Sequence, residues 1–297
     1  MPTIPDALVP ALMERMRKLN QLPEEDPVGT ERKLLALACE IMNRLIRGQV
    51  RKTAVSLPTQ EAVMLLPKRP AAPGSVLYLH GGGYCTGGAE YAACFGRLIA
   101  SVAKIRTFCP AYRLAPEHPF PAALEDALDA YRYLLETYPG EKICLIGESA
   151  GGGLLYALCL KCRELGLPQP AGLVAISPWT DLTLSGASYE YNREADPSMT
   201  QEKLQIFARD YTDRPEDPLC SPLFGDLSGL PACRIFVGGD EIMLEDSLRM
   251  AKALEAAGVP VTLTVAEGFW HAYIFYGIRS RRTDNKAICE FIRSRLA

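Results

Sequence analysis

An α/β architecture built on a mostly parallel sheet is the fold class that this 297-residue sequence predicts. Three observations carry it. Eight short apolar runs read as strands, the later ones alternate with helical stretches, and one long interval, 178–233, breaks that rhythm.

Taken in order, two amphipathic helical stretches, 5–20 and 29–47, come before the sheet. In the second, Leu34, Leu35, Ala38, Ile41, Met42 and Leu45 recur at helical spacing. Strands are expected near 50–57, 61–66, 75–80, 105–109, 143–147, 173–177, 234–238 and 261–266. The first two are joined by Pro58-Thr59-Gln60 and read as an antiparallel pair. Helices near 90–104, 122–138, 150–165, 244–257 and 284–296 separate the later strands, which implies parallel pairing with helices on both faces. Connections as long as 178–233 tend to be lids, so 182–216 and residues 1–48 are read as a cap over one end of the sheet. The expected division is 1–48 for the N-terminal cap helices and 49–297 for the main domain, which carries the cap insertion.

Composition narrows the class of partner. The formal net charge is −3, and the densest basic cluster is Arg279, Arg281 and Arg282, so no surface for nucleic acid is expected. Ten cysteines sit mostly in apolar runs of a chain without a secretory leader, which reads as reduced thiols in a cytoplasm. Cys159 and Cys162 form a Cys-x-x-Cys without a second pair or nearby histidine, so packing is expected rather than a metal site. No stretch reaches the ~18 apolar residues that cross a bilayer. The expectation is a soluble cytoplasmic protein with no membrane or nucleic-acid partner, and a homodimer is left open.

The chemistry centres on Ile146-Gly147-Glu148-Ser149-Ala150-Gly151-Gly152, which lies between an expected strand and an expected helix. A serine there sits on a strand–turn–helix elbow, and a helix beginning at Ala150 aims free N–H groups at negative charge forming beside Oγ. Ser149 therefore reads as a nucleophile, which needs a base. Of the three histidines, His80 opens a glycine loop and reads as its hydrogen-bonding anchor, and His118 lies in a proline-locked turn. His271 follows the last expected strand, where a general base from another part of the chain would arrive.

With Ser149, His271 and the glycine loop assembled, the chain resembles the hormone-sensitive-lipase-like branch of the α/β-hydrolases over roughly 75–275. The resemblance rests on four motifs in order. They are His80-Gly81-Gly82-Gly83; Tyr112-Arg113-Leu114-Ala115-Pro116-Glu117 with Phe120-Pro121-Ala122-Ala123; Gly147-Glu148-Ser149-Ala150-Gly151-Gly152; and Ser177-Pro178-Trp179-Thr180-Asp181. It implies an α/β-hydrolase fold and carboxylesterase activity on small esters, with no cofactor or metal. It also implies an oxyanion hole at Gly82, Gly83 and Ala150. Two departures stand out: Glu148 replaces the usual Asp or Thr before the serine, and the acid motif reads Glu241-Ile242-Met243-Leu244-Glu245-Asp246-Ser247. The register of the family's acidic pair favours Glu241 as the triad acid, with Asp240 the alternative.

The expected reaction is acyl transfer through Ser149, His271 and Glu241, followed by hydrolysis of the acyl-enzyme. Aromatic residues beside the motifs, Tyr84, Trp179 and Trp270, together with Phe269, Tyr273, Tyr189 and Tyr191, are the candidate substrate-binding residues. They point to neutral esters with short acyl chains. An amidase or arylformamidase on the same triad, and a non-catalytic ligand receptor, are the alternatives.

Overall fold

The computed structural model describes residues 4–20, 28, 29, 32, 50–70 and 73–297. A 3₁₀ turn at Asp6–Leu8 leads into α1 (Val9–Asn20). The rest of the expected 29–47 helix, apart from Gly29 and Arg32, lies outside the described residues.

Eight strands follow: β1 (Val50–Ser56), β2 (Glu61–Pro67), β3 (Ser75–Leu79), β4 (Arg106–Pro110), β5 (Ile143–Glu148), β6 (Gly172–Ile176), β7 (Cys233–Gly238) and β8 (Val261–Ala266). They form one sheet in the order β1-β2-β4-β3-β5-β6-β7-β8. β1 pairs antiparallel with β2, with Val50 opposite Pro67 and Ser56 opposite Glu61, and β2 pairs antiparallel with β4. From β4 through β3 to β8 the pairing is parallel throughout. The expected antiparallel opening and parallel remainder are both present.

The helices are α2 (Ala89–Ala103), α3 (Ala122–Thr137), α4 (Ala150–Glu164), α5 (Ser188–Tyr191), α6 (Gln201–Tyr211), α7 (Leu244–Ala256) and α8 (Arg282–Leu296). Strand side chains alternate between two cores. Leu77, Leu79 and Leu145 pack toward α3, α4 and α7, whereas Val76, Tyr78, Cys144 and Ile146 pack toward α2 and α8. β3 and β5 are fully buried, as strands covered on both faces must be, and this explains why they read as unbroken apolar runs. The parallel strands end in line, so the turns after β3, β5, β6, β7 and β8 gather at one edge, where open α/β sheets place their ligands.

No helix among the described residues is long and apolar enough to cross a membrane. Cys159 and Cys162 are buried on α4 as free thiols.

Candidate active site

The turn after β5 carries Ser149 in a left-handed conformation with φ 54°, directly before α4 begins. Its N–H donates to Ile176 O at 3.0 Å, and its carbonyl accepts from Trp179 N at 2.9 Å. The elbow is tight enough to require its glycines: a Cβ at Gly147 would overlap the Gly151 carbonyl, and one at Gly151 would overlap the Leu79 carbonyl. The Ser149 hydroxyl donates to no group among the described residues, and it faces a cavity of about 330 Å³ whose wall includes His271, Gly82 and Gly83.

The glycine loop after β3 rests on His80. The ring is buried, stacks on Tyr112 at 4.1 Å, and places Nδ1 2.7 Å from Gly81 O. Burial pushes its pKa down to about 4, so it stays neutral and serves as a fixed donor to the loop. Among the described residues, the N–H groups of Gly82, Gly83 and Ala150 donate to no internal acceptor, and Gly82 and Gly83 are cavity-lining. Gly82 and Gly83 thus share the cavity wall with Ser149, and Ala150 follows it in the chain, so three free donors lie on the segments that meet at the serine, as an oxyanion site requires.

His271 arrives on the loop after β8. Its Nδ1 faces Glu241 Oε1 at 3.7 Å, and neither atom has a closer polar partner among the described residues. The Glu241 carboxylate is fully buried, and its Oε2 accepts from Ser177 Oγ at 2.7 Å and Gly238 N at 3.1 Å. Burial alone would pull the His271 pKa down, but the Glu241 carboxylate, helped by Asp196 and Glu148, holds it above its ordinary 6.5. The side chain of Asp240 makes no hydrogen bond among the described residues, while its N–H donates to Phe269 O at 3.0 Å. The carboxylate that meets the imidazole is therefore Glu241.

Tyr84, Trp179 and Trp270 need correcting as substrate-binding candidates, because all three are buried and none lines the cavity. Tyr84 stacks on Tyr211 at 3.8 Å, Trp179 packs beneath the elbow, and Trp270 sets its ring edge-on to Tyr276 at 5.2 Å. They support the loops from behind. Tyr189 and Tyr273 are buried as well, with hydroxyls on Asp246 and Asp284, and Tyr191 is exposed. The apolar wall comes instead from Tyr91 and Phe95 of α2, Phe275 and Tyr276 beyond the histidine, and Met199 and Phe207 of the insertion.

Two other polar residues at the site were missed. Ser177 binds Glu241 and also accepts from Ala272 N at 3.0 Å, and its place in the Ser-Pro-Trp motif at the end of β6 was an available signal. Asp196, in the insertion, accepts from Ile242 N at 3.0 Å, and its charge is felt at His271; in sequence it looks like any acidic loop residue.

Comparison with known proteins identifies the fold and the family. The α/β hydrolase fold family model matches residues 76–275. An acetyl-hydrolase from Streptomyces hygroscopicus is 39% identical over 206 residues, 68% of this chain and 69% of the relative. A crystal structure of an esterase from the bacterial hormone-sensitive lipase family superposes with a TM-score of 0.92 at 31% identity, covering 100% of both chains. A hormone-sensitive lipase from a metagenome library superposes at 0.91 with 34% identity, covering 97% of this chain and 98% of that one. The chain belongs to the α/β-hydrolase family, in its hormone-sensitive-lipase-like branch.

Proposed function

We propose that this hydrolase cleaves small carboxylic esters with short acyl chains through an acyl-enzyme on Ser149. The observation that carries the reading is the convergence of three parts on one mostly apolar cavity: the Ser149 elbow, the free N–H groups of Gly82 and Gly83, and an imidazole backed by a buried carboxylate. In the reaction, Ser149 Oγ attacks the ester carbonyl while His271 takes its proton. Glu241 at Nδ1 keeps the imidazole in the tautomer whose Nε2 can accept, and it stabilises the imidazolium that forms. Gly82, Gly83 and Ala150 donate to the oxyanion, and each such donor is worth about 10²–10³-fold in rate. His271 returns the proton to the departing alkoxide. It then activates water to release the acid, so neither metal nor cofactor has a part.

Residues 1–48 and 182–216 act as the cap. Ile4, Ser198, Met199 and Phe207 from these segments line the cavity, and Ile4 is tied to the far side by bonds to Gly277 O and from Arg279 N. The names of the relatives, an acetyl-hydrolase and esterases, favour ester over amide substrates. The retained serine, histidine and acid argue against a receptor. We place the protein in the cytoplasm, in keeping with nine free cysteines among the described residues.

Ser149→Ala tests the reading. Turnover of p-nitrophenyl acetate is expected to fall by more than about 10⁴-fold with an unchanged unfolding curve. Wild-type-like turnover in purified variant would overturn it.

A further inference from the structure

Glu148 is buried, and the reaction as derived above does not use it. It sits at the end of β5 beside the nucleophile and is one of the residues lining the cavity. Oε1 accepts from Gly81 N at 2.6 Å and from the Tyr91 hydroxyl at 3.1 Å, whereas Oε2 has no hydrogen-bond partner among the described residues. Gly81 immediately precedes the two cavity-lining glycines whose N–H groups have no acceptor among the described residues, and Tyr91 is part of the cavity wall. One oxygen thus clamps the start of the glycine loop to the adjoining face of α2.

We infer that Glu148, which shares the cavity wall with His271, is a positioning residue that aims the Gly82 and Gly83 donors by holding Gly81 and Tyr91. The inference rests on Ser149 being the nucleophile. A longer side chain than Asp at this place accounts for the reach: Oε1 spans from the end of β5 to the backbone of the neighbouring loop and on to α2 in the same pair of bonds.

The charged and titratable groups around these two residues set the sign of the pH effect. Glu148 is faced by Tyr78 of β3, Tyr91 of α2, Cys109 of β4, Tyr112 beyond β4, and His271. His271 is faced by Glu241, Asp196 and Glu148. Burial pushes the Glu148 pKa up to about 7. Ionised, it favours the imidazolium and raises the pH at which His271 becomes a free base. Removing that charge lowers the pH of this transition.

Glu148→Ala and Glu148→Gln, assayed with p-nitrophenyl acetate from pH 5 to 9 and titrated with phenylboronic acid as a tetrahedral-adduct probe, test the inference. The Ala variant is expected to lose about 10–10²-fold in kcat and in boronate affinity, with KM within about threefold, because loop donors act on the tetrahedral state more than on bound substrate. The Gln variant retains an acceptor for Gly81 and Tyr91, so it is expected to recover most of that loss while its acid limb in kcat/KM moves to lower pH. A residue that only fills space would not move that limb. Wild-type kcat and boronate affinity in the Ala variant overturn the inference, and so does an unmoved acid limb in the Gln variant, which also decides the matter if the Ala variant does not fold. Failure of the underlying reading shows separately, as retained turnover in Ser149→Ala.

Discussion

Ser177 Oγ donates to Glu241 Oε2 at 2.7 Å and accepts from Ala272 N at 3.0 Å, so a single hydroxyl joins the end of β6, the acid turn and the histidine loop. Without it, Glu241 Oε2 retains only Gly238 N among the described residues, and the loop carrying His271 loses an anchor one residue from the imidazole. Ser177→Ala is expected to lower kcat about tenfold with KM nearly unchanged, since the loss is in the alignment of the acid and base rather than in binding. Steady-state kinetics on a nitrophenyl ester would check this, and an effect confined to KM would contradict it.

The choice between the two adjacent acids is a second measurement. Glu241 faces Nδ1, so Glu241→Gln is expected to reduce turnover by on the order of 10³–10⁴-fold, whereas Asp240→Asn stays within a few-fold of wild type. The pH profile adds a signature. His271 acts as base only when neutral, and the fold raises its pKa above the ordinary 6.5, so the acid limb of kcat/KM lies above pH 6.5. With the largest source of that upward shift removed, the residual activity of Glu241→Gln has its acid limb at lower pH. Collapse of the Asn variant instead would move the acid to Asp240.

The positions of Ser149, His271 and Glu241 were legible because each follows a strand whose apolar run is plain in sequence and whose turn carries a chemical cue. The wall of the cavity was not. Tyr84, Trp179 and Trp270 lie beside site residues in the chain, yet backbone hydrogen bonds hold those segments with the aromatic rings turned into the core. Proximity in sequence says nothing about which side of a loop a ring takes. Tyr91 and Phe95 come from α2 and Met199 and Phe207 from the insertion, and they share a cavity only because these two segments pack around the glycine loop. Helical periodicity marks such residues as buried, without distinguishing core from cavity.

Arg32 gives the N-terminal segment a direct hold on the site. Its guanidinium donates to Cys85 O at 2.9 Å, Ala115 O at 3.1 Å and both oxygens of Glu117 at 2.8 Å. The paired hydrogen bonds draw the Glu117 pKa down to about 2. Cys85 follows the glycine loop by two residues, so the clamp bears on it from behind. Arg32→Met is expected to lower kcat/KM about three- to tenfold, Glu117→Gln somewhat less, and the double variant no further than Arg32→Met alone. Additive losses in that cycle would show that the two residues act independently.

Acyl length follows from the wall. A cavity of about 330 Å³ bounded by Phe95, Phe275 and Tyr276 suits short acyl groups, so activity on nitrophenyl esters is expected to peak at acetyl to butyryl and fall steeply beyond. Phe95 stands 4.4 Å from Phe275 between ring centroids, and Phe95→Ala opens the wall at that contact. The hexanoate-to-acetate ratio of kcat/KM is expected to rise by about tenfold, on the order of the 1–3 kcal/mol that a filled or emptied methylene site is worth. An unchanged ratio would place the acyl group elsewhere.

The last prediction concerns stability and a carboxylate away from the reaction. Asp246, in the first turn of α7, is fully buried; Oδ2 accepts from Thr180 N and Asp181 N at 2.9 Å, and Oδ1 accepts from the Tyr189 hydroxyl at 3.0 Å. Burial, reinforced by the nearby Asp181 charge, pushes its pKa up from 3.8 to about 7 despite those bonds. A carboxyl whose folded pKa lies above its unfolded one is protonated more readily in the native state. Its contribution to stability is therefore full below about pH 3.8, declines as pH rises, and turns into a constant penalty above about pH 7. An asparagine can keep its oxygen toward the two N–H groups and its amide toward the Tyr189 oxygen, with no charge to bury. Asp246→Asn should therefore be stabilising at pH 8 relative to its own effect at pH 5, by on the order of 1–3 kcal/mol between the two conditions. Urea unfolding of both proteins at both pH values measures that difference. A variant whose stability change is the same at pH 5 and pH 8 would mean that Asp246 is ionised throughout that range and that its hydrogen bonds outweigh its burial.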